Sequence, residues 1–214
     1  MRPSRALRAF GTAFLLAAAS AAWGQSMDQF LRAVNEGDTK TVASFLDRGL
    51  DVESTDPAGN SILMIASMLG HRDLVTLLID RKARVARRSP HGDTAVMFAS
   101  LKGHLEIVKL LIDKGAAIAQ DGWMPLHYAA FEGRAEVLKY LVDKGADKDA
   151  LAPNGFTALM LAVRGGHLEA VRTLLYADAD LKVVGPSGET ALLLSQTRKN
   201  AELEALLRRA GAVD

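Results

Sequence analysis

Residues 153–162 read PNGFTALMLA, and residues 90–99 read PHGDTAVMFA, with the same order of residue types. In both, a Pro-x-Gly turn is followed by a hydroxyl residue and an apolar run. The turn glycines recur at intervals of 33, 30, 33 and 33 residues, and they are Gly59, Gly92, Gly122, Gly155 and Gly188. Self-similarity at such a period is the signature of a repeat protein. The chain from residue 56 onward is therefore predicted to be a stack of similar units.

Each unit carries the start and stop signals of two helices. In the turn, proline sets one backbone dihedral and glycine permits positive φ. A hydroxyl two residues after the turn glycine can cap the next helix by accepting a backbone hydrogen bond; these residues are Ser61, Thr94, Thr157 and Thr190. A second glycine then ends the first helix, at Gly70, Gly103, Gly133 and Gly166. A further apolar helix follows, and six helix pairs are expected in all.

The repeat resembles the ankyrin repeat family. Residues 122–130, GWMPLHYAA, are similar to the family's G-x-T-P-L-H-x-A-A, and Gly145-Ala146-Asp147 is similar to its G-A-D. Residues 157–162, TALMLA, followed by GHLE at 166–169, are nearly as close. The resemblance covers residues 27–214. It implies an all-α solenoid with short β-hairpin fingers, each finger being followed by two antiparallel helices.

The expected domain organisation is a repeat domain over residues 25–214 with a cap at each end. The first unit lacks a finger, and the last has Lys199 where glycine is expected, as is typical of capping repeats. The units are residues 27–55 (N-terminal cap), 56–88, 89–118, 119–151, 152–184 and 185–214 (C-terminal cap).

Two departures from the family pattern predict local differences in structure. The family's first-helix histidine is retained only at His127, and its place is otherwise taken by Met64, Met97, Met160 and Leu193. Packing is expected to replace the missing histidine bonds. The spacing from Gly115 to Gly122 is 7 residues, against 10 from Gly145 to Gly155, so a notch is expected at the finger that begins the 119–151 unit.

Residues 1–24 have the pattern of a cleaved secretory signal peptide. Three arginines precede an uncharged stretch from Ala9 to Gly24, and Ala22 and Gly24 supply small residues before a cut at Gln25. The apolar part has 13 residues, whereas a membrane-spanning helix needs about 20. Export to the periplasm is therefore expected, without stable membrane insertion. Full secretion is the alternative, and a mitochondrial transit peptide is a third interpretation.

Composition excludes several function classes. The chain has 26 basic and 25 acidic residues among 214, so charge gives no reason to expect a nucleic-acid partner. It contains no cysteine, which excludes disulfides, thiolate catalysis and cysteine-ligated metal sites. A nucleophile elbow, a phosphate-binding glycine loop and convergent carboxylates are not found in the sequence, so no enzymatic activity is expected.

The histidines and methionines are not expected to bind a metal or cofactor. His71, His104 and His167 each follow a helix-ending glycine. Neighbouring repeats stack about 10 Å apart, whereas zinc needs ligand nitrogens at about 2.0–2.1 Å, so this series cannot converge. As in the family, these histidines are expected to bond backbone in neighbouring repeats. Met64, Met97 and Met160 are interpreted as core residues rather than as a Cu(I) site.

A basic stretch, Arg81 to Arg88, places five basic residues in eight positions. It is interpreted as a solvated finger, because no aromatic residue is interleaved with its charges. Contact with lipid head groups or an acidic partner is the alternative.

The family's usual binding face, made by the fingertips and the exposed side of each first helix, carries the candidate site. Six residues there are expected to form an apolar stripe: Met68, Leu69, Leu101, Trp123, Phe131 and Phe156. Four polar residues would edge it: Asp93, Lys102, Glu132 and Arg164. Apolar patches with polar rims mark protein contacts, and Trp123 is the expected anchor. In the alternative interpretation, Trp123 and Phe156 fold down as local core.

The predicted function is an exported, non-catalytic module, commonly monomeric in this family, that binds or protects another protein. The resemblance implies an oxidant-defence enzyme such as a catalase as one such partner. A secreted effector that binds a host protein is one alternative. A small-ligand or haem carrier that uses His127, Tyr128 and the methionines is another.

Overall fold

The computed structural model describes residues 26–213, and in this range the chain forms twelve helices in six consecutive pairs. The helices are α1 (26–36), α2 (Thr39–Asp47), α3 (Ile62–Leu69), α4 (Arg72–Asp80), α5 (Ala95–Lys102), α6 (Leu105–Asp113), α7 (Pro125–Phe131), α8 (Ala135–Asp143), α9 (Ala158–Gly165), α10 (Leu168–Tyr176), α11 (Ala191–Thr197) and α12 (Ala201–Arg209). The first helix of each pair has an odd number. The predicted signal peptide lies outside the described residues.

The helix starts follow the predicted capping residues, with one exception. Ser61 accepts a hydrogen bond from the backbone N–H of Met64 at 3.3 Å, and Thr157 and Thr190 make the equivalent bonds. The buried hydroxyl of Thr94 has no hydrogen-bond partner, so its predicted capping bond is wrong. At the other end of α3, Gly70 adopts φ +83°, the left-handed conformation that terminates a helix.

The helix pairs form one open row. First helices pack on first helices of the adjacent units, as α3 on α5, α5 on α7, α7 on α9 and α9 on α11. Second helices pack in the same order from α2 to α12. The buried apolar residues form one continuous core that runs from Phe30 to Ala212. This arrangement confirms the all-α solenoid, because the substantial helix contacts within residues 26–213 join the same or adjacent units.

The fingers are tight turns rather than the expected β-hairpins. Within residues 26–213 the structure has no regular strand, and one isolated antiparallel bridge joins Thr55 to Ser61. The fingers that begin at Ser89, Ala152 and Gly185 are each closed by two backbone bonds, such as those from Ala152 N–H to Phe156 O at 2.9 Å and from Gly155 N–H to Ala152 O at 2.8 Å. The fingers are too short for strands, because the chain enters a helix directly after each turn and no residues remain to extend a β-ladder.

The shortened finger of the fourth unit leaves a gap between neighbours. A β-carbon built on Gly155 would lie 2.5 Å from Cγ of Pro186, so these two fingertips stack closely. The equivalent distance from Gly122 to Pro153 is 3.9 Å. A cavity of about 100 Å³, lined in part by Gln120, lies on the other side of this finger, where the notch was predicted.

None of the helices described between residues 26 and 213 is both long enough and apolar enough to cross a membrane.

Candidate binding furrow

A furrow of about 420 Å³ lies on the predicted binding face, at the middle of the row. Four of the predicted residues line it, namely Leu101, Trp123, Phe131 and Arg164, together with Tyr128 and Asn154. These side chains come from α5, α7, α9 and two fingers, so three successive units build the furrow.

Trp123 both lines the furrow and packs against the core. It is half-buried, and its ring meets the rings of His127 and Tyr128 edge to face, with centroids 6.0 and 5.9 Å apart. The Gln120 amide donates a hydrogen bond to the Trp123 carbonyl at 2.9 Å. Trp123 is therefore partly packed as local core, as the alternative interpretation has it, while its role as the anchor of a binding site stays a prediction.

Tyr128 links two units at the floor of the furrow. Its hydroxyl donates a short hydrogen bond to the Asp93 carboxylate in the preceding finger. Burial first, and then this bond, raise the pKa of Tyr128 above its ordinary value of 10.0. Tyr128 therefore keeps its proton at ordinary pH and is the donor of the hydrogen bond to Asp93.

Of the four polar residues predicted to edge the stripe, Arg164 lines the furrow, whereas Asp93, Lys102 and Glu132 are not among its lining residues. Glu132 lies 3.5 Å from the guanidinium of Arg134, whose Nε donates to the Leu101 carbonyl at 3.0 Å. Lys102, the last residue of α5, is exposed. The Arg164 guanidinium lies over the face of the Phe156 ring, 5.1 Å from its centroid.

Phe156 belongs to the core, so its predicted place in an exposed stripe is wrong. Only 7% of its surface is exposed. A β-carbon built on Gly185 would lie 3.1 Å from the Phe156 ring, which shows that the ring fills the space left by a missing side chain in the next unit. Burial of the ring is favourable because it removes a large apolar area from water. For Phe156, the local-core interpretation is the one that the structure supports.

The stripe is also shorter than predicted at its other end. Met68 is half-buried and Leu69 is 40% exposed at the end of α3, but neither lines the furrow. The Met68 carbonyl instead accepts a hydrogen bond from His104 at 3.1 Å.

The predicted backbone bonds of the histidine series are confirmed. Nε2 of His167 donates to the Phe131 carbonyl at 2.9 Å, and His71 and His104 make the same contact with the preceding unit. Arg134 does this in the fourth unit through Nε, a role that the sequence analysis missed. The available signal was its position, since Arg134 directly follows Gly133 as each histidine follows its glycine.

His127 is fully buried and both of its ring nitrogens have protein partners. Nδ1 accepts a hydrogen bond from the Met124 N–H at 3.2 Å, and Nε2 donates to the Ala150 carbonyl at 2.9 Å. Burial lowers the pKa of His127 and outweighs the bond to Ala150, so the ring is neutral. A haem carrier that used His127 as a ligand would have to break one of these two bonds and bring the buried ring to the haem iron.

Methionine sulfur takes over one of the histidine's two bonds in other units. The Ser61 N–H donates to Sδ of Met64 at 3.4 Å, and the Thr94 N–H donates to Sδ of Met97 at 3.2 Å. Packing is therefore not the only replacement for histidine. Both methionines are 1% exposed, which confirms them as core residues.

The basic stretch forms ion pairs with the preceding unit. Arg84 and Arg87 both reach the Glu53 carboxylate, at 3.1 and 2.7 Å, and Arg81 lies 2.8 Å from Asp47. Although burial opposes ionisation, hydrogen bonds from Arg84 and Arg87 lower the pKa of Glu53. Three of the five basic residues thus connect neighbouring units instead of being free in solvent.

The described residues form an open helical repeat protein with an apolar furrow on one face. A family model described as ankyrin repeats matches residues 30–121 and 117–185, and the chain belongs to the ankyrin repeat family. The match ends where the predicted C-terminal cap begins. No curated protein matches the chain.

Proposed function

We propose that this protein is a non-catalytic module that binds a partner protein through the furrow. The observation that carries the proposal is Phe131, a large aromatic residue with 45% of its surface exposed beside the apolar walls formed by Leu101 and Trp123. Apolar sites with polar rims tend to mark protein contacts, and a few buried aromatics commonly supply most of the binding energy. Ankyrin repeats are typically interaction modules, which supports the same conclusion.

The furrow is held in shape before any partner arrives. The Phe131 carbonyl accepts a bond from His167, and the Leu101 carbonyl accepts one from Arg134, so the backbone at both walls is fixed to the next unit. Tyr128 is fixed to Asp93 in the preceding unit. A preorganised site loses little conformational entropy on binding, which favours affinity.

The proposed contribution of Phe131 is large enough to measure. Burying the 45% of Phe131 that is exposed contributes about 0.7–1.4 kcal/mol, which corresponds to roughly three- to tenfold in affinity. Phe131→Ala should cost about 1 kcal/mol of stability, because the half of the ring that is already buried is lost while alanine favours the helix. Trp123→Ala is a less clean test, since the Trp123 ring also packs on the core.

The test is affinity capture from a periplasmic extract with wild-type protein, Phe131→Ala and Tyr176→Ala. Tyr176 is a matched control because it is also aromatic, exposed and the last residue of its helix, α10. The expected result is a partner retained by wild type and Tyr176→Ala and captured less by Phe131→Ala, all three having equal helicity. Equal capture by Phe131→Ala would refute binding through the furrow.

We also propose that the mature protein is exported, since residues 1–24 have the composition of a signal peptide. N-terminal sequencing of the mature form should find Gln25 first, and an intact N-terminus would contradict export. Cell fractionation would distinguish a periplasmic binding module from a secreted effector. Recovery in the periplasm would favour a partner such as an oxidant-defence enzyme. A protein found in the culture medium would instead favour a secreted effector.

A further inference from the structure

We propose that the furrow recognises an acidic segment of its partner, in which a large apolar side chain lies next to Asp or Glu side chains. The inference rests on the proposed function and adds the chemistry of the partner.

Both carboxylates at the rim are already engaged within the protein. Asp93 accepts a hydrogen bond from the Tyr128 hydroxyl and a long one, at 3.5 Å, from the Ser89 hydroxyl, and Glu132 lies within ion-pair distance of Arg134. A partner that bound either carboxylate would compete with a contact that shapes the furrow.

Two cations predicted for the rim have no carboxylate partner within residues 26–213, namely Arg164, which lines the furrow, and Lys102, which follows the lining residue Leu101 at the end of α5. Across residues 26–213, no carboxylate lies within ion-pair distance of Lys102 or Arg164. Lys102 is exposed, and Arg164 is held by the Phe156 ring at the edge of the furrow.

The carboxylate of Asp93 keeps its charge, because its partner Tyr128 is neutral. Around the furrow the three cations Lys102, Arg134 and Arg164 still outnumber the two carboxylates Asp93 and Glu132, although the chain as a whole is nearly neutral, with 26 basic and 25 acidic residues.

Size and charge indicate a peptide segment rather than a nucleic acid. A volume of about 420 Å³ is at the small end of ligand pockets, so it accommodates one or two side chains. Single-strand binders instead use a basic groove that follows the backbone past several stacked aromatics. An apolar furrow lined by the unpaired cation Arg164, with Lys102 next to its lining residue Leu101, complements an apolar side chain flanked by carboxylates.

The experiment selects a random peptide library, displayed on phage, against the full chain. Selected sequences are expected to combine a large apolar residue with neighbouring Asp or Glu. Affinity of a synthetic selected peptide is then measured by Trp123 fluorescence in Trp23→Phe protein, since these two are the chain's tryptophans. Lys102→Gln and Lys102→Gln with Arg164→Gln are compared with Phe131→Ala, after thermal melting has shown that each variant is folded.

The double variant should bind the peptide about three- to tenfold more weakly than wild type, and Lys102→Gln alone should have a smaller effect. Raising salt from about 0.1 M to about 0.5 M should weaken wild-type binding by a similar factor, because exposed charges are screened. Lys102→Gln changes an exposed side chain, so it tests the charge even if the double variant does not fold.

The other outcomes separate the two proposals. Selected peptides without acidic residues, no selected peptide at all, or charge variants with wild-type affinity would overturn this inference. If Phe131→Ala still weakened binding, the proposed function would stand. Wild-type affinity in Phe131→Ala would overturn both. Binding of a single-stranded oligothymidylate that Phe131→Ala abolishes, or self-association through the furrow in sedimentation, would also overturn the acidic-segment proposal.

Discussion

At the scale of single residues, one position of the repeat is occupied by two kinds of acceptor. His127 has two nitrogens, so it accepts from its own helix start and donates to the next finger at Ala150. Met64 and Met97 present one sulfur, which accepts from the helix start, and the sulfur of Met97 also accepts a long hydrogen bond, at 3.8 Å, from the Gln120 amide in the next finger. A sulfur cannot donate, so neither methionine makes the bond to a finger carbonyl that His127 makes to Ala150.

Replacement of His127 by methionine tests this difference. His127→Met should keep the fold, because methionine fits the same place in other units, but it should lose about 1 kcal/mol at about pH 7.5 through the missing bond to Ala150. The measurement is the urea unfolding midpoint. His91→Gln, in an exposed fingertip, is the control and should be neutral.

The difference in stability between wild type and His127→Met should depend on pH, and its direction follows from the pKa of His127. The folded-state pKa of His127 lies below its unfolded value near 6.5, so its contribution to stability is present above about pH 6.5 and is lost as pH falls. The loss is at most ~1.4 kcal/mol per pH unit. Because methionine does not titrate, the gap between wild type and His127→Met should narrow on acidification. A gap that widens would contradict a buried neutral histidine.

At the scale of elements, neighbouring units pack closely where the glycine that ends a first helix contacts the histidine of the next unit. A β-carbon on Gly70 would lie 2.6 Å from the His104 ring, which itself bonds the Met68 carbonyl. Gly70 is thus required twice, for its left-handed φ of +83° and for this close approach.

Gly70→Ala should therefore destabilise the folded protein more than a glycine-to-alanine substitution that strains only the backbone. Gly92 is the matched control, since its φ is +86° and no atom lies near its built β-carbon. We expect Gly92→Ala to cost about 1–2 kcal/mol and Gly70→Ala about 1–2 kcal/mol more. In a His104→Ala background the additional cost should disappear, as a double-mutant cycle of unfolding free energies would show. Equal costs in the wild-type background would mean that the ring moves aside freely.

At the scale of the whole molecule, stability is distributed along a row. Central helices such as α7 have neighbours on both sides, whereas α12 contacts only α10 and α11 among the substantial contacts in residues 26–213. Such arrays behave as a sum of unit and nearest-neighbour terms, so they open from their ends.

Hydrogen exchange should follow this order. Amides of α12 should exchange at least about tenfold faster than those of α5 and α7, since local opening of an end unit breaks one interface rather than two. Mass spectrometry of exchanged, digested protein measures this. Uniform exchange along the chain would indicate a single cooperative unit and contradict the nearest-neighbour account.

The repeat pattern by itself determined the fold, because turn glycines, helix caps and apolar spacing act within each unit and recur with the period. It also determined that Leu101, Trp123, Phe131 and Arg164 share one face, since equivalent positions in stacked units lie side by side. The tertiary structure alone decided how those side chains are used. Phe156 is buried because Gly185 in the next unit leaves room for its ring, and the rim carboxylates are occupied by Tyr128 and Arg134. Such contacts depend on which side chains two neighbouring units bring together, and a periodic pattern carries no information about that pairing.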